Sequence, residues 1–344
     1  MPTMTVSSLP AAHRPRIAVI GTGGTFAMHG RHRFDWVEYG ESGVVHPIGT
    51  LIEQMGELAP DVDLVPIPFR MLGSTAIEPA DWLELARLIA EHASADPTLD
   101  GFVVTHGTAT LEETAWFLDL TAPAQASIVV TGAQRPANTD GSDAAANLRA
   151  ALAVAAAPGS RGAGALVVMN NQIFAARDVG KAASFELAAF EAPPFGALGW
   201  VDADARVIWR RRLCREPGQL PSFALDALEA LPRVDIVLSY AGVDRVMIDA
   251  CVAAGARGIV SAGLAPGRPA KGQTPALADA VRQGVVVVQA TRSPRGYVPP
   301  QRFLEVDGIL AGGDLAPQKL RIFLMLALTH TSERSALQRL LLAA

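Results

Sequence analysis

The stretch RIAVIGTGGTFA (16–27) decides the fold class. A short apolar run passes directly into a glycine-rich turn, and an apolar run bounded by glycine reads as a buried strand. GFVVTHGTATLEETA (101–115) repeats the plan, with a second run, a second Gly-Thr turn and then a helical pattern. Each turn carries a threonine, Thr25 and Thr108, at a predicted strand end. In an open α/β sheet the loops at the carboxyl ends of strands are where ligands meet the protein. Both hydroxyls are therefore candidate reacting groups.

Outward from these turns, strands and helices alternate. Candidate strands are Arg16 to Ile20, Leu64 to Pro68, Gly101 to Thr105, Ile128 to Thr131 and Ala165 to Met169, with helices at Pro79 to Ala93 and Leu111 to Leu120 between them. This is the rhythm of a parallel sheet covered on both faces. A shorter α/β series follows: Val234 to Ser239, a helix near Asp244 to Ala254, Gly258 to Ser261, and Val285 to Ala290. A last helix, Pro317 to Thr329, starts on proline with Asp314 near its N-cap. The predicted organisation is a leader over 1–15, an N-terminal domain over 16–203, a linker rich in Arg, Pro and Asp over 204–232, and a C-terminal domain over 233–344.

Composition bounds the function. The length of 344 residues suggests two domains, since one core stops growing near about 250–300 residues. Half the chain is hydrophobic and 18% is charged, yet the apolar runs are broken well before a membrane span, which needs about 20 residues. No membrane partner is expected. A net charge of −5 argues against nucleic acid, because neutralising phosphates takes clustered Lys and Arg. The cluster Arg210 to Arg212 with Arg215 reads as a solvated face. Cys214 and Cys251 cannot make a disulfide framework or a four-ligand zinc site, and free thiols fit a cytoplasmic location. The leader lacks the charged-then-apolar order of a signal peptide.

The first turn opens like the dinucleotide pattern G-x-G-x-x-G, with Asp35 or Glu38 placed to meet a ribose, but Phe26 stands where Gly or Ala is needed for close helix packing. No Gly-Lys-Ser/Thr follows, which excludes a P-loop. Taken alone, the turn would simply let the backbone bend.

The remaining fragments change that reading. GTGGTFA, VVTHGTATLEETAWFLDL, VVTGAQRP, MNNQIFAARDVGK, GIVSAG and GGDLAPQKLRIFLMLALT occur in an order and spacing that resemble the L-asparaginase/glutaminase amidohydrolases, from about Ile17 to Thr331. The resemblance implies a doubly wound, mostly parallel N-terminal sheet, a smaller C-terminal α/β domain, and sites completed between subunits of a homodimer or homotetramer. It implies amide hydrolysis of a small-molecule substrate through threonine, with no metal or organic cofactor. Thr25 corresponds to the attacking threonine. Thr108 corresponds to a second threonine paired with a lysine, here Lys181, whose uncharged amine could take a proton if burial lowers its pKa. Tyr39, in a predicted mobile lid from Met28 to Gly49, matches a tyrosine that closes over the first threonine. Ser74 matches a serine that holds a substrate carboxylate, and Thr75, Gly24 and Gly107 complete the substrate-binding set, with the oxyanion expected at backbone N–H groups near Gly24 and Thr108.

Other polar residues have structural readings. Asp178 fixes the turn before Lys181, His106 packs and hydrogen-bonds locally, and Glu112 and Glu113 complement the dipole of the helix they begin.

Two departures bear on the substrate. Where the family has His-Gly-Thr-Asp-Thr, this chain has Ala109 after Thr108, losing the aspartate that pairs with the substrate's α-ammonium. Where many members have Gly-x-Gly-Asn-Gly-Asn, it has Gly263 to Arg268, losing an amide and gaining an arginine. The expected substrate is thus an amide, imide or lactam without a free α-ammonium, or one carrying a carboxylate for Arg268. An ordinary asparaginase/glutaminase and a non-catalytic small-acid-binding regulator are the alternatives. Arg268 and Glu305 are expected near intersubunit contacts.

Overall fold

A computed structural model describes residues 13–123, 127–213 and 223–344. Most of the expected leader, together with Cys214, Arg215 and the rest of 214–222 in the expected linker, lies outside the described residues.

The first sheet has eight strands in the order β10-β9-β6-β5-β4-β3-β1-β2. Its parallel part comprises β1 (Arg16–Gly23), β2 (Asp63–Leu72), β3 (Gly101–His106), β4 (Ser127–Gly132) and β5 (Ala165–Met169). β3, β4 and β5 are buried at every residue, as their near-continuous apolar runs require of strands covered on both faces. Helices α1 (Ile48–Met55), α2 (Pro79–Ala95), α3 (Leu111–Thr121) and α4 (Ala144–Ala156) supply the cover. One core joins α1 and α4 to one face of the sheet, and another joins α2 and α3 to the opposite face.

The sheet is mostly parallel, as expected, and its remaining strands form an antiparallel edge. After β5 the turn Asn170–Asn171 adopts positive φ at both residues, +48° and +61°, the backbone of a tight two-residue hairpin. The chain therefore returns antiparallel as β6 (Gln172–Ala175). A small hairpin of β7 (Gly180–Lys181) and β8 (Phe190–Glu191) follows, and β9 (Gly199–Val201) then joins the sheet edge. β10 (Val207–Trp209) pairs with β9, so the sheet runs past the expected boundary at 203 and into the stretch read as linker.

The second sheet is parallel: β11 (Val234–Leu238), β12 (Gly258–Gly263), β13 (Val286–Thr291) and β14 (Leu310–Ala311). α5 (Val246–Ala253), α6 (Thr274–Arg282) and α7 (Arg302–Glu305) belong with its outer face. α8 (Pro317–His330) packs between α3 and β11–β12, and α9 (Arg334–Ala343) closes against α8. The core on the α3 side consequently runs without a break from Trp116 through Phe323 to Val260. Asp314 lies near the start of α8, as expected, two residues before the cap. The cap residue is Ala316, and Asp314 pairs with Arg177 at 2.6 Å. Among the described residues no helix is long and apolar enough to cross a membrane.

Candidate active site

Topology locates the site. β1 pairs with β2 on one side and β3 on the other, while the remaining strands continue away from β3. Chain direction across the sheet thus reverses between β1 and β3, and a crevice opens beyond their carboxyl ends. The Gly24–Thr25 turn leaves β1 there, and the Gly107–Thr108 turn leaves β3.

The two turns touch through glycine. Gly24 has φ +70°, and a Cβ on it would stand 2.2 Å from Gly107 Cα. A Cβ on Gly107 would stand 2.3 Å from Ser74 Cβ, so the backbone after β2 is the third layer of the stack. Ser74 O accepts the Thr110 hydroxyl at 2.7 Å. Thr75 and Ala109 are exposed.

Two pairs of side chains meet beside this stack. Thr25 Oγ1 lies 2.7 Å from Tyr39 OH. Lys181 Nζ lies 2.7 Å from Thr108 Oγ1 and donates to Gln134 Oε1 at 3.1 Å. Both threonines are buried. Burial lowers the Lys181 pKa below the ordinary lysine value, and the charge of Glu112 opposes that shift. An amine so placed loses its proton more readily than one in water and can serve a neighbouring hydroxyl as base.

Tyr39 begins a short 3-10 turn, Tyr39–Ser42, in the segment read as a lid. That segment is held down at several points: Gly30 and Asn138 exchange two hydrogen bonds of 2.8 Å, the Arg135 guanidinium lies 3.9 Å from the Trp36 ring centroid, and Asp35 accepts from the backbone of Arg31 and Glu38. α1 starts within its expected final residues.

His106 is fully buried and its pKa falls to about 4, burial being the cause. It is a neutral imidazole near pH 7. Gly107 O can only accept, so Nδ1 carries the hydrogen directed to it at 2.8 Å, leaving Nε2 to accept from Thr114 at 2.9 Å. Trp82 Nε1 donates to the same Thr114 hydroxyl. The chain of donors fixes the turn before Thr108.

Two sequence expectations change here, those for Gly24 and Glu112. The Gly24 N–H is taken by Leu72 O at 2.9 Å, so it is not an oxyanion donor. The N–H groups of Thr25 and Thr108, one from each turn, have no protein acceptor among the described residues. Arg268, expected near an intersubunit contact, makes its contacts within the chain away from the two threonines. It closes a turn by exchanging two 2.7 Å hydrogen bonds with Leu264 and stacks 4.4 Å from the centroid of Phe303. Glu112 does more than begin a helix. Its carboxylate accepts the Lys181 backbone N–H and, at 2.7 Å, the Gln318 amide. Asp178 pairs with Arg177 at 3.1 Å in the turn before β7.

A cavity of about 330 Å³ lies against β7, with Gly180, Lys181, Arg292, Arg295 and Gln318 on its walls; Thr25 and Thr108 do not line it. Among the described residues no group of three or more His, Cys, Asp or Glu is placed to hold a metal ion.

Two family models cover this architecture: "Asparaginase, N-terminal" over residues 16–214 and "Glutaminase/Asparaginase C-terminal domain" over 233–341. The chain belongs to the asparaginase/glutaminase family. It is 37% identical over 338 residues to a probable periplasmic L-asparaginase of Haemophilus influenzae, covering 97% of this chain and 94% of that one. It is 36% identical to L-asparaginase 2 of Bacillus subtilis, covering 98% and 89%. The crystal structure of a probable cytoplasmic L-asparaginase from Campylobacter jejuni superposes with a TM-score of 0.89 at 33% identity, covering 95% of this chain and 99% of that one. This is an asparaginase-family amidohydrolase, and a threonine nucleophile is typical of the family.

Proposed function

We propose that this amidohydrolase acts on a small amide, imide or lactam whose acyl part lacks a free α-ammonium group. Position 109 carries the reading. The residue after Thr108 is an exposed alanine, and the groups that meet Thr25 and Thr108 are a phenol and an amine. A substrate ammonium placed at Ala109 would face a methyl group.

In the proposed reaction Thr25 Oγ1 bonds to the amide carbon and the C–N bond breaks. The threonine proton, relayed past Tyr39, goes to the nitrogen of the broken bond, which departs as ammonia from a primary amide and stays tethered in an imide or lactam. The N–H groups of Thr25 and Thr108 hold the oxyanion. Water then attacks the acyl-threonine. Neutral Lys181 takes its proton through Thr108 and returns it to Thr25 as the acid departs.

A second reading, hydrolysis of L-asparagine or L-glutamine, is favoured by the names of the C-terminal family model and of the relatives above. The two are separated by comparing L-asparagine with succinamate, the same amide without the ammonium, in wild type and Ala109→Asp. A charged hydrogen bond is worth about 1.5–3 kcal/mol, so the substitution should move the ratio of kcat/KM values toward asparagine by roughly 10- to 200-fold. Efficient asparagine hydrolysis by wild type, unimproved by the aspartate, would exclude the first reading.

We also propose a homodimer or homotetramer in which Arg268 of one subunit completes the site of its neighbour, since within its own chain Arg268 contacts Leu264 and Phe303. A fully active monomer by light scattering would refute this. A cytosolic site of action is proposed from the free thiol of Cys251, and recovery of the native protein from the periplasmic fraction would count against it.

A further inference from the structure

We propose that Glu112 is a positioning residue of this site: one carboxylate fixes the backbone of Lys181 opposite Thr108, keeps a negative charge beside its amine, and is itself held by Gln318 of α8.

Three observations meet in this residue. Glu112 is the second residue of α3, and Thr108 lies in the turn two residues before the helix cap, Thr110, so a short stretch of chain carries both the hydroxyl and the carboxylate. One of its oxygens accepts the Lys181 N–H and the other accepts from Gln318. The approach leaves no slack, because a Cβ on Gly180 would already stand 3.2 Å from the first oxygen. β7 is only two residues long and rests on a single partner, β8. Such a strand has little of its own to hold a catalytic lysine in register, and the carboxylate supplies the missing anchor. Gln318 is on the second residue of α8, so the anchor extends to the helix that joins the second sheet to α3.

Charge makes Glu112 more than a strut. Burial pushes the Lys181 amine toward its neutral form, and Glu112 is the charge that opposes it. The other ionisable groups on the elements around the amine are Glu113 and Asp119 on α3, Glu191 on β8, Arg177 and Asp178 before β7, Arg135 beside Gln134, and Lys319, Arg321 and His330 on α8. Lys319 is fully buried, its amine donating to the carbonyls of Ala176, Arg177 and Val179, and it also feels the Glu112 charge. Glu112 thus stands between two lysines, one in the site and one holding the turn that leads to it.

The inference rests on the proposed role of Lys181 but is tested without it. Competitive acylation with acetic anhydride across pH, read by peptide mass spectrometry, reports the midpoint at which the Lys181 amine becomes reactive. In Glu112→Gln that midpoint should fall by about 0.5–1.5 pH units, the effect of one nearby charge. In Glu112→Asp, which keeps the charge but is too short to reach the Lys181 N–H, it should stay within about 0.3 unit of wild type. Both variants should lose kcat by roughly 10- to 100-fold with KM nearly unchanged. A residue that only supported the fold would lower thermal stability in both and move the midpoint in neither, and that outcome overturns the proposal. Wild-type turnover by Lys181→Met would remove the catalytic role of the lysine and leave the labelling result standing.

Discussion

A methyl group on Gly24 should disable the enzyme without unfolding it. The added Cβ would stand 2.2 Å from Gly107 Cα and 2.5 Å from Gly107 N, whereas carbon atoms in contact stand about 3.5–4.0 Å apart. Both neighbours are backbone atoms, so no rotamer change relieves the overlap and the two turns must part by more than about 1 Å. Alanine at φ +70° adds about 1–2 kcal/mol of backbone strain, and overpacking adds about 1–3 kcal/mol. Gly24→Ala should therefore be destabilised by about 2–5 kcal/mol. Parting the turns moves Thr25 away from Thr108 and Lys181, and a misplacement near 1 Å can cost about 100-fold in rate. The assay is ammonia release coupled to glutamate dehydrogenase, with far-UV circular dichroism as the fold control. Gly255→Ala isolates the strain, because Gly255 has φ +81° but open space where its Cβ would lie; it should lose stability and keep its rate. Gly24→Ala within threefold of wild type, or an equal loss of rate in Gly255→Ala, would refute the argument that contact between the turns sets the site.

Thr25→Ala and Lys181→Met should each reduce kcat by about 10²–10⁴-fold, and only Thr25→Ala should abolish the acyl adduct sought by intact mass after rapid quenching. Because burial lowers the Lys181 pKa, wild-type kcat/KM should rise with pH along a limb below pH 10.5, and Lys181→Met should lack it; the same limb in both proteins would assign it elsewhere. Lys319, held to about 8 by burial against 10.5 in the unfolded chain, gives stability a pH slope. Between those values the unfolded state binds more protons, so stability rises with pH across that window and the penalty is complete below it. Urea unfolding of wild type relative to Lys319→Met should show a difference that grows by about 3 kcal/mol from pH 7 to pH 10.5, and a difference independent of pH would contradict the burial of a titrating amine.

Much of this architecture was legible in the chain. The runs at 16–20, 101–105 and 165–169 are apolar at nearly every position, and only a strand buried on both faces tolerates that pattern. The glycines that end β1 and β3 marked the turns, since their geometry excludes side chains. The antiparallel edge leaves only one local mark, the Asn170–Asn171 pair, whose positive φ suits a hairpin. β6 to β10 are short, and such strands depend on a neighbour for their hydrogen bonds more than on their own pattern. The partner of Asp314 is not legible either, because a carboxylate near a helix start has the same local signature whether it meets backbone N–H groups or a distant arginine.

By itself, then, the sequence determined the order of strands and helices, the two threonine turns and the family, because these depend on local pattern and on residues close together in the chain. Tertiary structure alone decided what those turns face. The contact of Gly24 with Gly107 joins segments 83 residues apart, the tie of Glu112 to Lys181 spans 69, and that of Glu112 to Gln318 spans 206. Helical periodicity places Glu112 in the first turn of α3 and is silent about which backbone its oxygens reach. Which N–H groups remain free for a substrate is likewise settled only when every other donor has found its acceptor, as the Gly24 N–H does on Leu72.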